Sequence, residues 1–234
     1  MSHFYGIGVG PGDSELITLK AVRILETLDI LVTPTTKSGS ESLALSIAKP
    51  FLKEGLIISE RVFPMSLDSE VLTAAWDKVA DEIREAVENG KRVGFITLGD
   101  PMTYSTYIYL LIRLKGQIPL TTIPGITSYL GLSASVAIPL VEGDTPLVIA
   151  PCTLPIEKLK EIILSNDSVV LMKLSKQFKE VLAFLIEEGL DDCSKLVSFA
   201  TQKEEKIYQS LTEVDEPSIS YFSTILINKR WRQG

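Results

Sequence analysis

The sequence predicts an α/β protein of two successive domains. Three observations carry that expectation. Short apolar runs rich in β-branched and aromatic residues alternate with stretches in which apolar residues recur at helical spacing. The runs of the first half end in glycine, proline or aspartate, as parallel strands do where they hand over to crossover helices. After a turn-rich break at residues 139–146 the alternation resumes, and it closes on two strand-like runs with little between them. The expected division is therefore an N-terminal domain, residues 1–141, with a mainly parallel five-stranded sheet, and a C-terminal domain, residues 142–234, with a mixed sheet.

Each element has its own signature. Phe4 to Val9 reads as a strand, and Gly10-Pro11-Gly12-Asp13 as the turn after it. Asp13 or Ser14 can cap the next helix, whose Ile17, Ala21, Ile24 and Leu28 draw one apolar stripe. Ile30 to Thr33 is a strand stopped by Pro34, and Leu43, Ile47 and Phe51 mark a short helix. Leu56 to Phe63 is extended. Leu72, Trp76, Val79, Ile83 and Val87 then share a helix face that ends at Asn89-Gly90, both tolerant of the left-handed conformation. The strand Val93 to Leu98 runs into Gly99-Asp100-Pro101. A helix through Tyr107, Leu110, Leu111 and Leu114 follows, then an extended Ile118 to Ile123, Pro124-Gly125-Ile126-Thr127-Ser128, and a small-residue helix from Tyr129 to Ala137. In the second half, Leu147–Ala150, Val169–Leu174 and Lys195–Ala200 are extended, Ile156–Leu164 and Phe178–Glu187 helical. Lys206–Leu211 and Ile219–Ile227 flank Glu213-Val214-Asp215-Glu216-Pro217 as a closing hairpin.

Composition narrows the function. The 234 residues are 45% hydrophobic, enough for a substantial core, with no repeat or low-complexity tract. A net charge of −7 argues against general phosphate attraction, so no nucleic-acid partner is expected. Cys152 and Cys193 form no CxxC pair or disulfide framework and point to a reducing, cytoplasmic compartment. His3 is the only histidine, which disfavours a histidine metal site and a Ser-His-Asp triad, and no metal is expected. No apolar stretch reaches the roughly 18 residues of a membrane helix, and no signal peptide pattern opens the chain, so a soluble, unexported protein is expected.

The glycines Gly6, Gly8, Gly10 and Gly12 do not make a dinucleotide fingerprint, because Pro11 or Asp13 stands where its third glycine belongs. Asp29 precedes the second strand, whereas a ribose-binding acid belongs at that strand's carboxyl end. No glycine precedes Lys-Ser or Lys-Thr, which removes a phosphate loop of the Walker type. Three loops remain, Gly10–Asp13, Gly99–Pro101 and Pro124–Ser128, all leaving parallel strands at their carboxyl ends and so opening on one rim. They are rich in backbone amides and hydroxyls and poor in nucleophiles, which suits a polar ligand held by main chain. On residue types alone, Asp100 fits a turn as well as a site, and Thr127 and Ser128 fit a helix cap.

Tyr5-Gly6-Ile7-Gly8-Val9-Gly10-Pro11-Gly12-Asp13 with Leu16-Ile17-Thr18-Leu19-Lys20-Ala21, followed in order by Leu98-Gly99-Asp100-Pro101 and Pro124-Gly125-Ile126-Thr127-Ser128, resembles the tetrapyrrole methylases over essentially the whole chain. These are the class III S-adenosylmethionine-dependent methyltransferases of cobalamin and siroheme synthesis. Asp100-Pro101-Met102-Thr103-Tyr104-Ser105-Thr106, Ile138–Asp144 and the Ser38–Ala48 region are similar to the branch that methylates precorrin-2, or its cobalt complex, at C20. The siroheme-type C2/C7 methylases of uroporphyrinogen III carry Phe-rich, Gly-Arg-Gly sequence after the Gly-Asp-Pro, which is absent here. They are the alternative, together with a non-catalytic ligand-binding protein on the same fold. The small diphthine-forming methylases share the Gly-Asp-Pro but fit the other segments less well.

The resemblance implies a homodimer that uses S-adenosylmethionine as methyl donor and a reduced tetrapyrrole, with or without cobalt, as acceptor. It implies a cofactor site of Leu98, Gly99, Asp100, Thr103, Thr127, Ser128, Met172 and Ala200, and a tetrapyrrole wall of Gly10, Pro11, Gly12 and Asp13. No catalytic acid or base is assigned. Leu98 and Met172 also fit ordinary strand core. Lys20, Arg113 and Lys173 are possible partners for substrate carboxylates or solvated surface charge, and Lys203-Glu204-Glu205-Lys206 reads as a solvated turn.

Overall fold

The computed structural model describes residues 1–35, 42–63, 69–174, 177–214 and 219–232. Two compact units divide the chain, Met1–Thr127 and Ser128–Gly234. Ser38 to Glu41 of the Ser38–Ala48 region, and Asp215 to Pro217 of the expected hairpin link, lie outside the described residues.

In the first unit β1 (His3–Gly8), β2 (Ile30–Thr35), β3 (Ile57–Val62), β4 (Arg92–Thr97) and β5 (Leu120–Ile123) form one sheet, order β3-β2-β4-β1-β5, with every pairing parallel. Alternate strand residues feed two apolar layers, as the two-residue period of a strand requires. Ile7, Leu31, Ile96 and Ile123 pack with Ala21 and Leu25 of α1 (Leu19–Leu25) and with Ala44 and Ile47 of α2 (Leu43–Ala48). Phe4, Val32, Val93 and Phe95 pack on the other face with Val79, Ile83 and Val87 of α3 (Ser69–Glu88) and Leu110 and Leu114 of α4 (Tyr107–Leu114). Each valine, leucine, isoleucine or phenylalanine among them contributes about 1.5–3 kcal/mol when fully buried.

Local chemistry sets the ends of these elements. α3 stops in a Schellman arrangement, with Gly90 N–H bonded to Val87 O at 3.0 Å and Lys91 N–H to Ala86 O at 3.0 Å, and with Gly90 at φ 84. The single helix expected after Asp13 is two pieces. The Asp13 carboxylate accepts Glu15 N–H at 2.8 Å and opens only a short 3₁₀ turn, Ser14–Leu16; Ile17 is extended, and Thr18 Oγ1, accepting Ala21 N–H at 3.2 Å, caps α1. Pro34 does not stop β2. It fits because β2 pairs with β4 only over Ile30–Val32, so among the described residues the strand ahead has a single neighbour, β3.

The second unit holds α5 (Ser128–Val136) and a mixed sheet of β6 (Leu147–Pro151), β7 (Ser168–Met172), β8 (Ser194–Ser198), β9 (Lys206–Tyr208) and β10 (Ser223–Asn228), order β6-β7-β10-β8-β9. Only β6 and β7 are parallel neighbours. One face packs on α6 (Ile156–Ser165) and α7 (Phe178–Glu187) through Leu159, Ile163, Val181 and Leu185; the other carries Val170, Val197 and Leu226 against Leu132 of α5. That packing explains why the units part at 127/128 and not at the expected 141/142: α5 belongs to the second sheet. The expected closing hairpin is also absent. β10 lies between β7 and β8, and β9 pairs with β8. All six residues of β10 are buried, which suits an interior strand, whereas three-residue β9 with its exposed Lys206 suits an edge.

Candidate functional site

Because the first sheet is wholly parallel, its carboxyl ends share one rim, and β1 lies between β4 and β5 there. The loops leaving these three strands are knitted by backbone. Gly10 and Gly99 form an antiparallel bridge, Gly10 N–H to Gly99 O at 3.3 Å and Gly99 N–H to Gly10 O at 2.7 Å, with φ of 84 and 68. Gly8 and Gly125 are equally constrained. A Cβ on Gly125 would lie 2.2 Å from Gly99 O, and one on Gly8 2.7 Å from Gly125 N, so three main chains meet where no side chain fits.

Asp100 fastens this knot. One carboxylate oxygen accepts Met102 N–H at 2.8 Å in its own turn; the other accepts Gly125 N–H at 3.0 Å from the neighbouring loop. Thr103 N–H returns to Asp100 O at 3.3 Å, and Pro101 is buried. Behind the turn, Thr97 Oγ1 and Ser105 Oγ lie 2.9 Å apart, Ser105 Oγ accepts Tyr107 N–H at 3.1 Å, and Tyr107 reaches Thr122 Oγ1 at 2.6 Å. The turn is thus pinned on both sides, with Tyr104 held at φ 50.

Leu98 packs half-buried against the α1/α2 layer, while Gly10 and Pro11 are buried and Gly12 and Asp13 more open. Thr127 stands directly before α5, where a cap would be. Its buried hydroxyl has no hydrogen-bond partner, so it does not cap the helix. An enclosed unmet hydroxyl costs about 1–3 kcal/mol, and a ligand atom is what would offset it. Leu98, Gly99, Asp100, Thr103, Thr127 and Gly10–Asp13 therefore gather on one rim of the first unit.

In the second unit, β7 and β8 both run antiparallel to β10, so Met172, the last residue of β7, and Ala200, just past β8, lie at the same end of the sheet, the edge formed by the carboxyl ends of these two strands. Both join the apolar cluster that contains Leu132 of α5, the helix Ser128 begins. This edge stores backbone strain, with Lys173 at φ 60, Phe199 at φ 55 and Thr201 at φ 64. A non-glycine residue held there costs about 1–3 kcal/mol, and such positions concentrate at ligand sites. Lys173 lies over the Tyr221 ring, and Phe222 contacts both Phe199 and Tyr221. These aromatic contacts and the strain have no signature in a linear reading.

Other candidates resolve into structure. Glu205, expected in a solvated turn, accepts Thr201 N–H at 2.5 Å and Ser135 Oγ–H at 2.9 Å, tying the loop after Ala200 to α5. Arg113 is committed to Asp77 at 2.6 Å and lies over Trp76, while Lys20 is an exposed residue of α1. Cys152 and Cys193 are buried free thiols, and burial pushes Cys152 up to about 12. Among the described residues there is no cluster of metal-ligating side chains and no helix long and apolar enough to cross a membrane.

Comparison with known proteins gives a consistent result. The family model for Tetrapyrrole (Corrin/Porphyrin) Methylases matches residues 3–215. The chain is 41% identical to the cobalt-precorrin-2 C(20)-methyltransferase of Salmonella typhimurium over 228 residues, covering 97% of this chain and 96% of that protein. Among solved structures it is similar to the cobalt precorrin-4 methyltransferase CbiF, with TM-score 0.75 and 23% identity over 97% of this chain and 94% of that one. It is also similar to the uroporphyrin-III C-methyltransferase of Thermus thermophilus complexed with S-adenosyl homocysteine, with TM-score 0.61 and 20% identity over 97% of this chain and 98% of that one.

Proposed function

The chain belongs to the tetrapyrrole methylases, and from that premise we propose that it transfers a methyl group from S-adenosylmethionine to C20 of precorrin-2 or its cobalt complex, a step of cobalamin biosynthesis. The observation that carries this reading is the likeness to a C20-methyltransferase across nearly the whole chain, with the three-loop rim intact.

S-adenosylmethionine, when bound, supplies a methyl on a sulfonium that is already electrophilic, and the conjugated meso carbon of the acceptor is already electron-rich. What remains for the chain is to align the two and exclude water, and alignment of this kind is worth effective molarities of order 10⁵ M or more. We assign cofactor binding to Leu98, Gly99, Asp100, Thr103 and Thr127 and, from the second unit, to Ser128, Met172 and Ala200. The unmet hydroxyl of Thr127 fits a polar cofactor group, and the Gly99 main chain, free of any side chain, fits close approach. Both Asp100 oxygens already accept N–H groups, so its part is to hold the loops, not to move a proton. Gly10, Pro11, Gly12 and Asp13 form the proposed tetrapyrrole wall. Working as a homodimer in the cytoplasm also belongs to this proposal; it is supported by the family likeness and, for the compartment, by two thiols that are free and buried.

Incubation with S-adenosylmethionine and either precorrin-2 or cobalt-precorrin-2, followed by mass spectrometry, tests the reading. One methyl added per macrocycle is expected. Methylation of uroporphyrinogen III in its place, or binding of both ligands with no transfer, would overturn it.

A further inference from the structure

The buried unmet polar atoms of the first unit, among the described residues, are the hydroxyls of Thr33, Thr35 and Thr127, Trp76 Nε1 and Arg92 Nε. The three hydroxyls all stand at the carboxyl rim, two on the last half of β2 and one after β5. Thr33 is fully buried and Thr35 is 5% exposed.

The sheet is incomplete beside them. β1 and β4 stay paired as far as Gly8 and Thr97, and β2 and β3 as far as Thr35 and Val62, but β2 and β4 part after Val32 and Phe95. Past that point, among the described residues, no strand pairs with that side of β2. The chain leaves β2 for α2 on one face and β4 for α4 on the other, the arrangement that opens a ligand crevice at the carboxyl ends of a parallel sheet. Leu31 packs in the α1/α2 layer and Val32 in the opposite one, so strand alternation places Thr33 and Thr35 on the α1/α2 face, the face on which Leu98, just past β4, also packs.

Valine has the same shape as threonine, packs well in strands and leaves no hydroxyl unmet. Two threonines kept in series at a splayed rim therefore point to a ligand. Side chains two residues apart on a strand are about 6.7 Å apart, too far for the two oxygens of one carboxylate and suited to two acceptors on neighbouring ring positions. Resting on the proposed function, we propose that Thr33 and Thr35 donate hydrogen bonds to two adjacent peripheral carboxylates of the tetrapyrrole, extending the wall begun by Gly10–Asp13.

The test compares the whole protein with a Thr33→Val/Thr35→Val variant and a Thr33→Ser/Thr35→Ser variant. Three quantities are read: affinity for an isobacteriochlorin octacarboxylate by absorbance titration, affinity for S-adenosylhomocysteine by calorimetry, and the thermal midpoint. The valine pair is expected to weaken the octacarboxylate at least tenfold, leave S-adenosylhomocysteine unchanged, and keep or raise the midpoint; the serine pair stays within about threefold of wild type. Wild-type octacarboxylate affinity in the valine pair would overturn the proposal. So would a lowered midpoint with both ligands weakened, which would mean the hydroxyls hold the fold. Failure of the functional reading shows separately, as absence of octacarboxylate binding by the wild-type protein.

Discussion

Replacing Asp100 by alanine removes two charge-assisted hydrogen bonds at once, to Met102 N–H at 2.8 Å and Gly125 N–H at 3.0 Å, and their losses are unequal. The Met102 bond is exposed, so water takes up that N–H and the loss there is about 0.5 kcal/mol. The Gly125 amide is part-buried where the Gly8, Gly99 and Gly125 chains crowd together, and an amide stranded there costs about 1–3 kcal/mol. The sum, roughly 1.5–3.5 kcal/mol, is below the 5–15 kcal/mol that typically holds a domain, so the variant stays folded. Its loops after β4 and β5 are no longer fastened. If half of that free energy is expressed in the geometry a cofactor meets, affinity falls about tenfold. The assay is calorimetric titration with S-adenosylhomocysteine alongside urea unfolding followed by circular dichroism. Asp100→Asn keeps one acceptor oxygen and is expected to fall between. Wild-type affinity and wild-type turnover in Asp100→Ala would refute the reasoning.

Three further outcomes are expected. Gly125→Ala places a Cβ 2.2 Å from a backbone oxygen that cannot swing aside, so it should lower the unfolding midpoint more than Asp100→Ala does; an unchanged midpoint contradicts the three-chain contact. Thr127→Val removes an unmet hydroxyl and should leave the thermal midpoint equal or higher while weakening S-adenosylhomocysteine; equal affinity would return Thr127 to a packing role. The Cys152 thiol is raised from 9.0 to about 12 by burial, so the folded state favours its neutral form. Its contribution is present in full below about pH 9 and is lost as pH rises from there toward 12, by up to about 4 kcal/mol; a Cys152→Ala variant whose stability falls as steeply over that window would contradict this.

The order of strands and helices was legible because each element carries its period: Trp76, Val79 and Ile83, three and four residues apart, share one face on a helix, whereas the odd spacing of Trp76 and Val79 would put them on opposite faces of a strand. The rim loops were legible because glycine, proline and aspartate at strand ends have few structural uses. What escaped the sequence depends on partners far along the chain. Asp100 and Gly125 are joined by one hydrogen bond that no local pattern announces. β10 reads as the second arm of a hairpin until its burial on both faces shows that it needs a neighbour on each side. α5 is built of small residues that mark no single face, so its attachment to the second sheet appears only in its packing. The left-handed backbone of Lys173, Phe199 and Thr201 is carried by residues that rarely adopt it, and the unmet hydroxyls of Thr33 and Thr35 depend on where β4 turns away.

The most direct measurement of the central claim is where the methyl goes. With ¹³C-methyl S-adenosylmethionine and precorrin-2 or cobalt-precorrin-2, NMR of the product should show one labelled methyl, bonded to C20. A label on any other carbon, or labelling of uroporphyrinogen III at C2 and C7, would contradict it.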